Sequence, residues 1–405
     1  MVTRNWAGNV VFGERRFHRP RSVAELQDLV AGSDQVRVLG SGHSFSRIAD
    51  TPGDLVSLAG MPPILRIEGA SVTVGAGMRY GEITGPLHAA GYALRNTGSL
   101  PHIAVAGTCS TGTHGSGDGN PILGAAVSAM ELVGADGELR TLHRGEPDFP
   151  GAVVALGALG VVTSLTLDLV PTFDVRQWVY QGLRGFTDVE EVLAAAYSVS
   201  LFTYWAGEGF EQVWVKQRVG DAEPPAHWLG MARAEGPLHM APGVDPAHCT
   251  QQLGVPGPWH ERLPHFRPEF TPSKGDELQT EYLLPRAAAA DALRALDGIR
   301  ERIAPVLVVC EVRSVAADDL WLSPAYGRDS VAIHFTWTPD PAAVLPVVAA
   351  VEAALEPFDA RPHWGKIFTT PPEIVRSLWP RLADAARLLG EPKFRNAFVD
   401  KYLPS

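Results

Sequence analysis

The alternation of hydrophobic and polar positions changes character near residue 170 of this 405-residue chain. Before that point, short apolar runs and one-sided helical patterns are separated by glycine turns. Ser22-Val-Ala-Glu25 forms a capping box, with the serine hydroxyl placed to take an early amide and Glu25 to reach back. Leu26, Leu29 and Val30 follow at helical spacing. The strand Val36-Arg-Val-Leu39 stops at Gly40. Further strands are predicted over 55–58 and 71–74, and a helix over 80–90 with Gly91 in the C-cap position. Residues 96–120 are rich in Gly, Ser and Thr and show no helical period. They predict an irregular stretch, and one of that length between structured segments points to function. A hairpin over 130–142 turns at Asp136-Gly137, and 160–169 reads as a strong strand.

Beyond Pro171 the strands gain aromatics (Trp178, Tyr180, Phe202, Tyr204, Trp205, Trp214), and a Pro/Gly/His-rich stretch over 219–272 predicts a long surface excursion. Strands follow over 277–284, 306–315 and 330–337, with helices over 287–303, 342–356 and 372–389. Strands accompanied by helices in this order predict an α+β layer with the helices on one face.

Composition narrows the classes. Hydrophobic residues make up 45% and charged residues 20%, enough for a large core in two or three domains. A net charge of −11 argues against a nucleic-acid partner and against docking on an anionic membrane. Cys109, Cys249 and Cys310 are far apart and form no CxxC pair, so neither a metal site nor a redox dithiol is expected, and a reducing, cytoplasmic setting fits. The first twenty residues lack the apolar run of a signal peptide, and no run of 18 apolar residues predicts a membrane span.

The candidate chemistry lies in loops and on two strands. Gly40-Ser41-Gly42-His43-Ser44-Phe45 directly follows a strand, and its glycines would let backbone amides approach a pyrophosphate. A nicotinamide fingerprint would carry a third glycine where Phe45 stands. Alone, the segment reads equally as a tight turn or a cofactor loop. A neutral His43 would be nucleophilic. Gly98-Ser99-Leu-Pro-His102 and Gly107 to Gly117 form a second loop, whose hydroxyls and amides suit phosphates and the polar edge of a ring system. Glu311 and Arg313 share one face of their strand, as do His334 and Thr336 of theirs. Each pair reads either as a solvent-facing edge or as the lining of one polar pocket. Lys366 lies between an aromatic and an apolar run.

Taken together these segments resemble the alditol oxidases, which belong to the vanillyl-alcohol-oxidase type of FAD enzyme alongside the aldonolactone oxidases. The resemblance rests on Asn5-Trp-Ala-Gly-Asn9, the GSGHS loop, the second loop, the strand GALGVVTSLTL at 157–167, Glu311-Val-Arg313 and His363-Trp-Gly-Lys366. PGPWHERLPHF at 256–266 and WLSPAYGRD at 321–329 bring it nearer the alditol than the lactone enzymes. It implies a two-part FAD-binding domain (1–172 with a returning segment, 361–405) and a substrate-binding cap of antiparallel sheet covered by helices (173–360). It also implies that Val38, Leu39, Gly40, Ser41, Gly42, His43, Ser44, Ser99, Gly107, Thr111, Gly112, Thr113, His114 and Val162 hold FAD, with His43 as the covalent link. Ser99, Glu311, Arg313, His334, Thr336 and Lys366 would bind a polyol, Arg313 and Lys366 being catalytic. The implied reaction oxidises a terminal alcohol of xylitol or sorbitol and reduces dioxygen to hydrogen peroxide. Small molecules are the implied partners, and a monomer is compatible with that. Two departures from the family pattern bear on substrate range: Gly98 beside Ser99, and Ala104 where a serine is usual. The rival expectations are an aldonolactone oxidase or dehydrogenase, and a flavin-binding protein without turnover.

Overall fold

The computed structural model describes residues 3–269 and 276–404. A small parallel sheet opens the chain, with β1 (Arg16–His18), β2 (Val36–Val38) and β3 (Asp54–Val56) in the order β1-β3-β2. Helix α1 (Val23–Gly32) connects the first two strands. Ser22 Oγ accepts from the Glu25 amide at its N-terminus, and Glu25 reaches back to the Arg21 amide rather than to that of Ser22. A five-stranded antiparallel sheet follows. Its strands are β4 (Leu65–Glu68), β5 (Ser71–Gly75), β6 (Val127–Val133), β7 (Leu139–His143) and β8 (Val161–Asp168), in the order β4-β5-β8-β6-β7. Helix α2 (Tyr80–Ala89) ends before Gly91, which adopts a left-handed φ of 84° as its C-cap role demands.

The stretch expected to be irregular contains helix α3 (Val105–Thr111). Its sequence hides the helix because it has no polar face. The hydroxyls of Thr108, Ser110 and Thr111 donate back to the carbonyls of Val105, Ala106 and Gly107, so even its polar side chains are satisfied locally.

The second half is built on a ten-stranded sheet. Its central strands are β9 (Asp174–Arg184), β10 (Ser198–Thr203), β11 (Gly209–Arg218), β12 (Leu278–Pro285), β13 (Leu307–Val315) and β14 (Ser330–Trp337), antiparallel in the order β9-β11-β10-β13-β14-β12. On one face Tyr282, Leu284, Cys310, Val312, Ile333 and Phe335 pack beneath helices α4 (Ala289–Asp297) and α5 (Pro341–Leu355). The single helix expected over 287–303 breaks at Gly298, with a short turn of helix at Arg300–Ile303. The one expected over 372–389 is two, Pro372–Leu378 and Leu382–Leu388. Pro380 separates them, having no amide to give and disfavouring helical backbone at Trp379.

Among the described residues Pro341–Phe358 is long and apolar enough to cross a membrane. Glu352 and Glu356 interrupt its apolar run, so it holds no 18 consecutive apolar residues. Here Val344, Val347, Val348, Val351 and Leu355 are buried toward the sheet, and the Tyr282 hydroxyl donates to Glu352 at 2.9 Å.

The described part of the 219–272 stretch, up to residue 269, is more than a surface excursion. Trp259, Cys249, Thr250 and His265 are buried, and its last turns cross the open face of the ten-stranded sheet.

Candidate active site

Strand β2 delivers the chain into the turn 40–44, and the amides of these five residues donate to no protein acceptor among the described residues. Gly42 takes a left-handed φ of 73°. A Cβ on Gly40 would touch the Ala104 methyl at 3.4 Å, so the turn and α3 pack closely there. Ser41 Oγ accepts from the Ala104 amide at 3.1 Å, joining the two loops. From the far end of the chain, Gly365 O accepts from the Phe45 amide at 2.7 Å and Trp364 O from the Ser46 hydroxyl at 2.8 Å. The turn thus has partners at its edges and bare amides at its centre, a form suited to an anionic diphosphate.

His43 is held by stacking. Its ring lies on that of Trp6, with centroids 5.0 Å apart and planes 20° from parallel. Both ring nitrogens are buried without a hydrogen-bond partner among the described residues. Burial first, then the positive charges of Lys366 and Arg79, push its pKa down to about 4, so the ring is neutral at neutral pH.

These loops open into a cavity of about 530 Å³. Of the residues expected to hold a cofactor, Val38, Leu39, Gly40, Ser41, Gly42, His43, Ser44, Ser99, Gly107, Thr111, Thr113, His114 and Val162 line it. Gly112 does not line it. It ends α3 with a φ of 74° and abuts Pro324, so its glycine serves the turn rather than a ligand. The long groove, the bare amides and the unpartnered neutral imidazole fit FAD.

The floor of the cavity is the open face of the ten-stranded sheet, and register explains its composition. Glu311 pairs with His334 across β13 and β14, and His334 pairs with Glu281 across β14 and β12. Thr336 and Gln279 face each other one step along. The two polar pairs foreseen from sequence therefore line one pocket and are not a solvent-facing edge: Glu311 and Arg313 are each 6% exposed. Arg313 reaches Glu281 at 2.6 Å, lies 3.6 Å from Glu311, and donates to Ser99 Oγ at 3.5 Å. His114 Nε2 lies 3.2 Å from Glu281. Lys366 Nζ donates to Gln279 Oε1, and His334 Nε2 lies 3.2 Å from the same oxygen.

The charges are arranged to persist. Burial alone would raise the carboxyl of Glu311, but Arg313 and then His265 hold it well below the carboxylate range. His114 and Arg313 do the same for Glu281. Burial lowers Arg313, but Glu311 and Glu281 outweigh it and raise the guanidinium further. Burial lowers the Lys366 ammonium, against the pull of Glu281. Burial and Lys366 push His334 to about 3, leaving a neutral donor or acceptor.

Five lining or supporting residues were not singled out from sequence. Gln279 and Glu281 carry the same i, i+2 polar signature in β12 as the pairs in β13 and β14, and that signal was available. His363 is a buried neighbour of Lys366 in the same turn. His265 and Lys216 meet behind Glu311, one from an irregular segment and one from β11, and no periodicity links them.

Residues 15–143 match the family described as FAD binding domain, and 275–405 the one described as D-arabinono-1,4-lactone oxidase. An alditol oxidase of Streptomyces sp. (strain IKD472) is 53% identical, over 98% of this chain and 97% of that protein. The chain belongs to the alditol oxidase family. An L-gulono-1,4-lactone dehydrogenase of Mycobacterium tuberculosis is 30% identical, over 93% of this chain and 92% of that protein. The fold is that of the vanillyl-alcohol-oxidase type. Cholesterol oxidase from B. sterolicum superposes with a TM-score of 0.79 over 100% of this chain and 96% of its own, at 14% identity. The FAD-binding match takes in the turn 40–44, α3 and the loop after it, so the family assignment and the groove's geometry name the same cofactor.

Proposed function

We propose that this alditol oxidase family member oxidises the terminal primary alcohol of a linear polyol such as xylitol or sorbitol, with dioxygen as the final acceptor and hydrogen peroxide as product. The observation that carries the reading is the sheet floor. Arg313 and Lys366, two carboxylates and the neutral donors Ser99, His334 and Thr336 converge on one water-poor face, which suits a chain of adjacent hydroxyls better than an apolar substrate. Bound FAD supplies the hydride acceptor, held by the turn 40–44, by Gly107, Thr111, Thr113 and His114 of the second loop, and by Val162. His43 is the residue that would carry it covalently, being neutral, nucleophilic and without a hydrogen-bond partner.

The protein's own residues do the rest. Arg313 and Lys366 bind the reacting hydroxyl and stabilise the negative charge that grows on its oxygen as the proton leaves. Glu311 accepts from the neighbouring hydroxyl. Ser99, Thr336 and His334 bind hydroxyls further along the chain. A site of this kind rejects deoxy analogues, because its buried polar groups are then left unpaired.

The test is anaerobic bleaching of the flavin by xylitol, sorbitol and a gulonolactone, followed by peroxide measurement on admitting air. Bleaching by the polyols with peroxide release is expected. Bleaching by the lactone alone would transfer the assignment to the lactone enzymes, the reading that the 275–405 match favours. No bleaching by any of them would leave a flavin-binding protein without this turnover.

A further inference from the structure

Behind Glu311 the sheet contains a second polar chain that the proposed reaction does not use. His265 Nε2 lies 2.7 Å from Glu311 Oε1, and its Nδ1 lies 3.1 Å from Lys216 Nζ. The lysine is 1% exposed, and its other two partners are the carbonyls of Leu263 at 2.5 Å and Pro264 at 3.1 Å. An ammonium has three hydrogens and no acceptor. Burial pushes this ammonium down to about 7, so the tautomer is decided at the other ring nitrogen. Glu311 is ionised and can only accept, which puts the imidazole proton on Nε2, pointing at Glu311, and leaves Nδ1 bare to accept from Lys216. Phe202 and Trp214 hold the ring edge-on, with centroids 5.7 and 5.3 Å away. The His265 amide donates to Ser99 O at 3.1 Å, so the same residue ties down a second wall of the pocket.

We propose that Lys216 and His265 are positioning residues that fix one oxygen of Glu311 and turn the other toward the substrate, so that this carboxylate discriminates for the hydroxyl beside the reacting carbon. The inference rests on the polyol reading for the identity of that hydroxyl. The tautomer and the ordering of Glu311 do not depend on it.

Two measurements test it. In the holoenzyme labelled with ¹⁵N-histidine, His265 should show a protonated Nε2 and a bare Nδ1; a proton on Nδ1 would overturn the assignment whatever the substrate is. In kinetics, xylitol is compared with pentane-1,3,5-triol, which keeps both terminal alcohols but lacks the hydroxyl next to each. Lys216→Met and His265→Gln are each expected to raise KM for xylitol about tenfold and to shrink the preference for xylitol over the triol by about as much. Changes in kcat should stay within about threefold, at unchanged flavin content. A purely structural role would lower flavin content or thermal stability and leave the xylitol-to-triol ratio as in the unsubstituted enzyme, and that outcome overturns the proposal. If the unsubstituted enzyme shows no preference between the two alcohols, the polyol reading fails and the specificity role fails with it, while the tautomer measurement still reports on the relay.

Discussion

A buried ammonium beside a reacting hydroxyl acts only if its charge is held in place and not spent on a carboxylate. Lys366 Nζ meets the amide oxygen of Gln279 and stands over the Phe45 ring at 5.2 Å, leaving hydrogens to aim into the cavity. Arg313 differs in that one of its nitrogens also bonds Glu281, so removing it would unpair a buried carboxylate as well as the reacting hydroxyl. Replacing Lys366 by alanine should therefore remove stabilisation at the reacting oxygen without unpairing a buried carboxylate. The expected result is a fall in kcat/KM on xylitol of about 100-fold or more, with flavin content intact. Near-normal turnover would remove the residue from the mechanism. His43 poses a sharper question, since a covalent bond either forms or does not. Acid precipitation of the unsubstituted protein should give a yellow pellet, and His43→Ala should release its FAD to the supernatant. Flavin retained in the mutant pellet would rule out this linkage.

At the scale of elements, what the sequence reveals depends on how regular the element is. The polar faces of β13 and β14 were legible because strand alternation puts Glu311 with Arg313 and His334 with Thr336, whatever else the fold does. Whether those faces meet solvent or a pocket was not legible, because that depends on residues 249–266 crossing over the sheet, and such a segment has no period to read. Gln279 and Glu281 show the intermediate case: β12 carries the same signature, but only its pairing with β14 reveals that Glu281 lies across from His334 and under Arg313. Helix α3 failed for the opposite reason. It lies between the cavity and the core with small residues on both sides, so no apolar stripe marks one face and the sequence mimics a loop. Lys216 and His265 lie beyond any local rule, since their contact spans 49 positions and joins a strand to an irregular turn.

For the whole molecule, burying so many neutral imidazoles around paired carboxylates makes stability depend on pH in a definite direction. His265 is pushed down to about 4 by burial and Lys216, and His334 and His363 to about 3 by burial, with Lys366 adding to it. In the unfolded chain each returns to about 6.5. Below that value the unfolded state binds protons that the folded state refuses, so stability falls as pH drops through the window from about 6 to about 4. Asp318 works against this. Burial raises its carboxyl to about 6, so over the same window the folded state holds a proton that the unfolded chain has lost. Among the strongly shifted groups, three protons against one leave a net of two, a slope of roughly 3 kcal/mol per pH unit, and His239 and His260, also lowered by burial, add to it in the same direction. Below about pH 4, Glu281 and Glu311, depressed in the folded state, steepen the fall in the same direction. His43 is left out of this count because the proposed flavin bond would remove its ordinary titration. Denaturant unfolding at pH 6.5, 5.5 and 4.5 should show the slope. His363→Gln, which keeps a hydrogen-bonding group beside the Gly365 amide but cannot titrate, should flatten it by about 1.4 kcal/mol per unit. A stability that stays level across that range, or a variant with an unaltered slope, would mean that these rings are charged or solvated in the folded enzyme. The pocket floor would then not be the dry, fixed-charge surface on which the oxidation depends.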